Sequence, residues 1–212
     1  ELEKQIGKHF DSAYITGNFG ISKFDITAHN TTWGNEHKIS TSDIKNQISQ
    51  IVIPDDFFPM HIIPLRYDTP TGRNISSPVG FVDKELKSVF GNIFYSRCGV
   101  DKVYQIMRDA HIQPIALFDP HFLQNTAYRT DKQTTMFIDF GAEFTSASIW
   151  TNRGPIWHTK IALGGTNITK AISEKFGISV IDADRIKHTV SSLIPTQTDR
   201  FTPADTASDF SR

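Results

Sequence analysis

The chain has 212 residues, 38% of them hydrophobic and 21% charged, with 22 Lys and Arg against 23 Asp and Glu for a formal net charge of -1. That length suits one or two domains with a real core, and the even charge excludes both the basic footprint of a duplex nucleic-acid binder and an acidic solvating tail. A single cysteine, Cys98, excludes an intramolecular disulfide and a thiolate zinc cage, and no run approaches the roughly 18 apolar residues of a membrane-spanning helix.

Leu2, Ile6 and Phe10 at fourfold spacing predict a short amphipathic helix, with Gly7 as its weak point. Residues 13–16 read as a strand, and residues 23–28 alternate with Phe24, Ile26 and Ala28 on one face, a second strand. Residues 30–35 form a turn cluster. Thr41 is the expected N-cap of a helix whose face carries Ile44, Ile48 and Ile51 and which stops at Pro54. Residues 61–67 read as a short strand, 68–78 as a loop rich in Gly, Pro, Ser and Thr, and 84–96 as a long strand or hairpin.

After Gly99 the period lengthens. Val103, Ile106, Met107 and Ala110 make a helical stripe. Residues 114–118 are a buried-type strand, and Asp119 followed by Pro120 has the order of an N-cap and first helical position. Three strands are expected over 136–140, 144–150 and 156–163, joined at Gly141, Ala142 and Glu143 and then at Asn152, Arg153 and Gly154. Gly164 and Gly165 break the last strand. A helix carrying Ile168, Ala171, Ile172 and Phe176 closes at Gly177, and Ser179 caps another over 182–188. A polar tail is expected from Val190 onward.

The most informative stretch runs from Phe137 to Trp150. A strand ends in Asp139, Phe140 and Gly141, turns, and returns with hydroxyl residues. Backbone N–H groups at such a turn can cradle a phosphate, because glycine lets the backbone come close. A carboxylate at the strand end can hold hydrated Mg²⁺. Taken alone, the three residues also describe an ordinary hairpin. None of the G-x-x-x-x-G-K-[ST], G-x-G-x-x-G or H-E-x-x-H motifs occurs. The eight histidines, His111, His121, His158 and His188 among them, show no ligand spacing with a carboxylate, and Asp119 with His121 is explained by a helix cap. Cys98 reads as a small buried hydrophobe.

In order along the chain, these elements resemble the actin/sugar-kinase/heat-shock-chaperone ATPase superfamily and, within it, the FtsA family of bacterial cell-division proteins. The motifs that carry the resemblance are Tyr14-Ile15-Thr16-Gly17, Thr41-Ser42-Asp43-Ile44, His61-Ile62-Ile63-Pro64 and Ser77-Pro78-Val79-Gly80, followed by the hairpin at Asp139. The resemblance implies an α/β (α+β) chain, part of an actin-like ATPase fold with an inserted small strand-helix-strand-strand domain. Residues 1–12 would be a helix of the large first domain, 13–98 the insertion, 99–131 the return of the first domain, and 132–212 the start of the second with its polar tail. It implies ATP and Mg²⁺ as ligands. Asp139 would hold the metal through water, Gly141 and Ala142 would offer amides to the phosphates, Thr145 a hydroxyl, and Gly164 and Gly165 would line the cleft.

The resemblance further implies an actin-like scaffold that polymerises and links the tubulin-like FtsZ ring to the membrane and to later division proteins. That places it in the cytoplasm at the inner face of the membrane, at the division septum, with no nucleic-acid partner and at most weak ATPase activity. Because the chain starts at Glu1 and not at Met, an excised piece is expected, with the first phosphate loop before Glu1 and the adenosine pocket and amphipathic membrane helix after Arg212. Three alternatives stand beside this reading: a PilM-like pilus-assembly actin homologue, a small-molecule kinase of the same superfamily, and an interaction module whose nucleotide site has decayed. Glu143 supports the last. Two like charges about 4 Å apart at an effective dielectric near 20 repel by about 4 kcal/mol.

Overall fold

The computed structural model describes residues 5–17, 19–128 and 134–193. They separate into two compact units. The first is Glu1–Asp139 with Thr145–Ile161, and the second is Phe140–Phe144 with Ala162–Arg212.

The first unit is organised by three strands. β2 (Ser22–Lys38), β3 (Phe57–Asp68) and β4 (Val82–Ser96) form an antiparallel sheet in the order β2-β4-β3. β1 (Ser12–Thr16) pairs in parallel with β5 (Gln113–Phe118). β6 (Thr134–Phe140), β7 (Thr145–Thr151) and β8 (Gly154–Ile161) form a third sheet in sequence order. Helix α1 (Thr41–Ser49) lies between β2 and β3, so β2, α1, β3 and β4 run strand-helix-strand-strand.

β4 supplies both cores of the unit through its period-2 alternation. Ile93 and Tyr95 join Phe19, Met60, Val100, Leu117 and Trp150 on one face. Leu86, Phe90 and Phe94 join Ile39, Ile51, Phe57 and Tyr67 on the other. Pro59 and Pro64 are tolerated in β3 because it is an edge strand, and its register shifts between Pro59 and His61 and again between Pro64 and Arg66.

Several boundaries differ from the sequence reading, each for a local reason. β2 does not stop at Ala28. Thr31, Thr32 and Trp33 suit a strand, and the expected turn cluster is absorbed as an irregularity between Thr32, opposite Glu85, and His37, opposite Asp83. Thr41 is the first helical residue and Ser40 the N-cap. The Ser40 hydroxyl accepts from Asp43 N–H at 3.4 Å, and Ser40 N–H donates to Asp43 Oδ2 at 2.7 Å, a reciprocal capping box. The helix expected through Leu2, Ile6 and Phe10 does not extend through Phe10. The chain leaves helical geometry at Gly7 (φ +67°), and Ile6 and Phe10 are exposed; Leu2 lies outside the described residues. Cys98 is exposed and not a buried hydrophobe.

α2 (Arg97–Asp109) follows β4 directly, and α3 (Pro120–Ala127) starts at the Asp119 cap as expected, with Asp119 Oδ1 accepting from Phe122 N–H at 3.1 Å. In the second unit, α4 (Gly165–Phe176) ends on Gly177 in the left-handed region (φ +62°), and α5 (Val180–Leu193) follows. α5 passes through Val190, where the tail was expected to begin; the rest of that tail lies outside the described residues.

A fully buried glutamine holds α1 to the sheet. Gln47 Nε2 donates to Thr31 Oγ1 at 2.8 Å and to Leu86 O at 3.0 Å, and its Oε1 accepts from the buried Ser88 hydroxyl. Gln47→Ala leaves Ser88 and Leu86 O without these partners. Urea denaturation should show a loss of at least about 1–3 kcal/mol, and a loss within error would mean the network carries no stability.

The loop before β4 is fixed by Asp83, whose carboxylate accepts from Thr71 Oγ1 at 2.6 Å, Thr71 N at 3.1 Å and Lys84 N at 2.8 Å. The Thr71 hydroxyl bond is the main cause that lowers its pKa from 3.8 to about 2. A carboxylate lowered on folding stabilises fully above its unfolded value and loses that contribution as pH falls through the folded one. Melting temperatures of the wild type should therefore fall more steeply between about pH 4 and pH 2 than those of Asp83→Asn.

Candidate functional site

Two groups of residues could carry chemistry, one in each unit. In the second unit, the turn between β6 and β7 is docked on the start of α4. Gly141 N–H donates to Phe144 O at 3.0 Å and closes the turn. The first two amides of the helix, Gly165 N–H and Thr166 N–H, donate to Gly141 O at 3.0 Å and Ala142 O at 2.7 Å. Asn167 completes the cap: its N–H donates to Gly164 O at 3.0 Å, and its Oδ1 accepts from Gly164 N–H at 2.9 Å. These donors are the orphan N–H groups that helix starts otherwise offer to anions; here protein carbonyls hold them. Ala142 and Glu143 stand at the exposed tip, and their N–H groups take no part in this set.

The two glycines differ in role. A Cβ at Gly164 would lie 2.5 Å from Ala142 O and 2.6 Å from Gly141 O, so the turn can approach the helix only over a glycine. At Gly165 the nearest atom would be Lys187 Nζ at 3.6 Å, ordinary contact. Lys187 Nζ donates to Asp184 Oδ1 at 2.7 Å and to Thr169 Oγ1 at 2.8 Å, and so ties α5 to α4.

In the first unit, the end of β5, the start of α3 and the sheet β6-β7-β8 bring together Asp119, His121 and His158, all buried. Asp119 Oδ2 accepts from the buried Tyr95 hydroxyl at 2.7 Å and lies 3.3 Å from His158 Nε2. Its backbone N–H donates to His61 Nε2 at 3.0 Å. His121 Nε2 is 3.2 Å from Ser146 Oγ. Burial acts to raise the Asp119 carboxyl, but the bonds from His158 and Tyr95 and the nearby imidazoles outweigh it and hold it at about 2. Burial lowers His121 and takes His61 down to about 4, in both cases against the pull of Asp119. It also lowers Lys160, again opposed by Asp119 and by Asp139.

The residues singled out in the sequence thus fall into distinct settings. Gly141, Ala142, Gly164 and Gly165 are brought together at the start of α4. Asp139 is exposed on β6, and its charge acts on His121, Lys160 and Tyr95. Thr145 is half-buried at the start of β7, opposite Ile161. Asp119 is the helix cap its sequence context predicts, and the same carboxylate also faces His158. The available signal was the pair Asp119 and His121 just after a buried strand; the third member lies on a strand 37 positions further on.

No known protein family matches the sequence, and no curated protein matches it. Solved structures do. One is described as a PilM-PilN type IV pilus biogenesis complex. It aligns with a TM-score of 0.52 at 17% identity, over 80% of this chain and 48% of that one. Another, the ethanolamine utilization protein EutJ from Carboxydothermus hydrogenoformans, aligns with a TM-score of 0.36 at 17% identity, over 40% of this chain and 31% of that one. The chain has the mixed α/β architecture of the actin-like ATPase fold, and it spans about half the length of the PilM-PilN chain it matches.

The contrast between the two glycines is testable. Gly164→Ala forces backbone carbonyls apart and should cost about 1–3 kcal/mol by denaturant unfolding. Gly165→Ala should be neutral or slightly stabilising, because alanine is the better helix former. Equal effects at the two positions would show that the turn does not rest on the helix start.

Proposed function

We propose that this chain belongs to an actin-like scaffold protein, which binds nucleotide and Mg²⁺ and works by assembling with protein partners, with at most slow hydrolysis. The observation that carries this reading is the likeness to the PilM-PilN complex over 80% of the chain. The pilus-assembly reading therefore comes first, with a partner of the PilN kind. The FtsA reading rests on the motifs from Tyr14 to Gly80 and on the strand-helix-strand-strand order of β2, α1, β3 and β4. It differs in its partners, FtsZ and later division proteins. The FtsA reading puts the protein at the cytoplasmic face of the cell membrane.

For the nucleotide, the exposed turn is the part of this chain that fits. Gly141 N–H is already engaged, so the amides of Ala142 and Glu143 are the ones open to a phosphate. Gly164 and Gly165 hold the turn; Asp139, two positions before Gly141 in the chain, is the carboxylate proposed for hydrated Mg²⁺, and Thr145 the hydroxyl proposed for the phosphates. A bound metal-nucleotide would supply the switch between assembling and non-assembling states; the residues here would orient it.

Two measurements on the full-length protein test this. Sedimentation with Mg-ATP, alone and with each partner, should show nucleotide-dependent assembly with one of them; none with either would sink the scaffold reading. In Mg-ATP titrations, Asp139→Asn should weaken Mg²⁺-dependent binding, since an amide loses the charge that holds the hydrated ion. Glu143→Gly should leave affinity unchanged or tighter, because a like charge is removed. If Asp139→Asn binds Mg-ATP as well as the parent, the turn is not the phosphate site.

A further inference from the structure

The buried cluster in the first unit has a composition that a cap does not need. Asp119 already does its structural work with Oδ1, which accepts from Phe122 N–H. Two imidazoles are nevertheless buried against it. One potential ligand atom from each of Asp119, His121 and His158 can be chosen so that all lie within 4.8 Å of one another. The side chains of Asp119 and His158 are 0% and 1% exposed. His121 Nδ1 and His158 Nδ1 are both buried without a hydrogen-bond partner. The two rings are tilted by 53° with centroids 5.5 Å apart, so that each can bring one nitrogen to a common point beside the Asp119 carboxylate.

We propose that Asp119, His121 and His158 form a binding site for a divalent transition cation of the zinc class. Two imidazoles and one carboxylate are a donor set this class takes in four-coordinate geometry. At metal–ligand distances of about 2.0–2.2 Å the donors stand roughly 3.4 Å apart. The Asp119 Oδ2 to His158 Nε2 separation of 3.3 Å already matches. Ser146 Oγ, 3.2 Å from His121 Nε2, offers a further oxygen beside that ring. The outer shell is also in place. The Tyr95 hydroxyl bonds the carboxylate, and the Asp119 N–H bond to His61 fixes the backbone beneath it. Such outer partners orient ligands and tune their strength. Asp139 adds a negative charge beside the cluster and Lys160 a positive one, so the surroundings are near neutral before the Asp119 carboxylate is counted.

The test uses the untagged 212-residue chain, stripped with chelator and titrated with Co²⁺ and then Zn²⁺. One Co²⁺ per chain should give the intense visible absorption of a four-coordinate ion, displaced by one equivalent of Zn²⁺. His121→Gln and His158→Gln should each abolish it, whereas His188→Gln on exposed α5 should not. Tyr95→Phe should keep the band but weaken Zn²⁺ binding about 10–100-fold. Should the ligand variants fail to fold, zinc absorption-edge fine structure of the wild type decides: two imidazoles and oxygen donors support the site. An all-oxygen shell, a weak six-coordinate Co²⁺ spectrum, or binding that survives both histidine changes overturns it.

Discussion

The structure of the first unit depends on one strand being buried on both faces. From Val89 to Tyr95, β4 alternates between two cores while pairing with β2 on one side and β3 on the other. A one-residue slip would exchange Phe90 and Phe94 with Ile93 and Tyr95 and place each set against the wrong partners. Gly91 belongs to the same constraint. A Cβ there would lie 3.1 Å from Pro155 O, so β8 comes close to the sheet only because that position has no side chain. The register of β4 therefore decides where β8 rests, and β8 carries His158.

From that register follows the position of Tyr95, and from Tyr95 that of Asp119. The Tyr95 ring packs in the core against Phe19, with centroids 5.4 Å apart, while its hydroxyl reaches the carboxylate that caps α3. Aromatic residues with a polar tip suit this arrangement, since the ring is buried and the hydroxyl still finds an acceptor. Asp119 thus joins three elements: it ends β5, starts α3 and faces β8. Its charge is affordable at zero exposure because donors surround it: Tyr95 O–H, Phe122 N–H and the His158 ring.

Much of this was legible in the sequence where the signal is local. The Asp119–Pro120 cap, the Gly177 stop, the existence of α2 and the three strands around Gly141 and Gly154 all follow from residues within one turn or one hairpin of each other, although Ile106 and Ala110 of the expected α2 stripe are exposed. Local preference fails as a guide where tertiary pairing overrides it. The polar run 30–35 reads as a turn, but β4 offers a partner strand along its whole length, so β2 continues through it. Thr41 and Ser40 are both good caps; Asp43, at the third helical position counted from Ser40, selects the latter. The cluster of Asp119, His121 and His158 is a product of sheet topology, and no spacing rule along the chain could have brought His158 to it.

The glycine pair at 164 and 165 shows how a motif can be right in place and more specific in cause than its sequence suggests. Two adjacent glycines after a strand imply close approach to something. At Gly164 that something is the chain's own turn, with carbonyls at 2.5 and 2.6 Å from where a Cβ would be. Its backbone at φ -161° is ordinary extended geometry, so crowding and not dihedral freedom demands glycine there. Gly165 meets no such crowding, and its N–H matters more than its missing side chain, because it bonds Gly141 O. The helix start thereby acts as a platform. Its positive end faces the turn's carbonyls, which favours the dipole and leaves Ala142 and Glu143 at the tip. A ligand that used this turn would meet the tip amides, with the helix behind them acting through its dipole and not through direct donation.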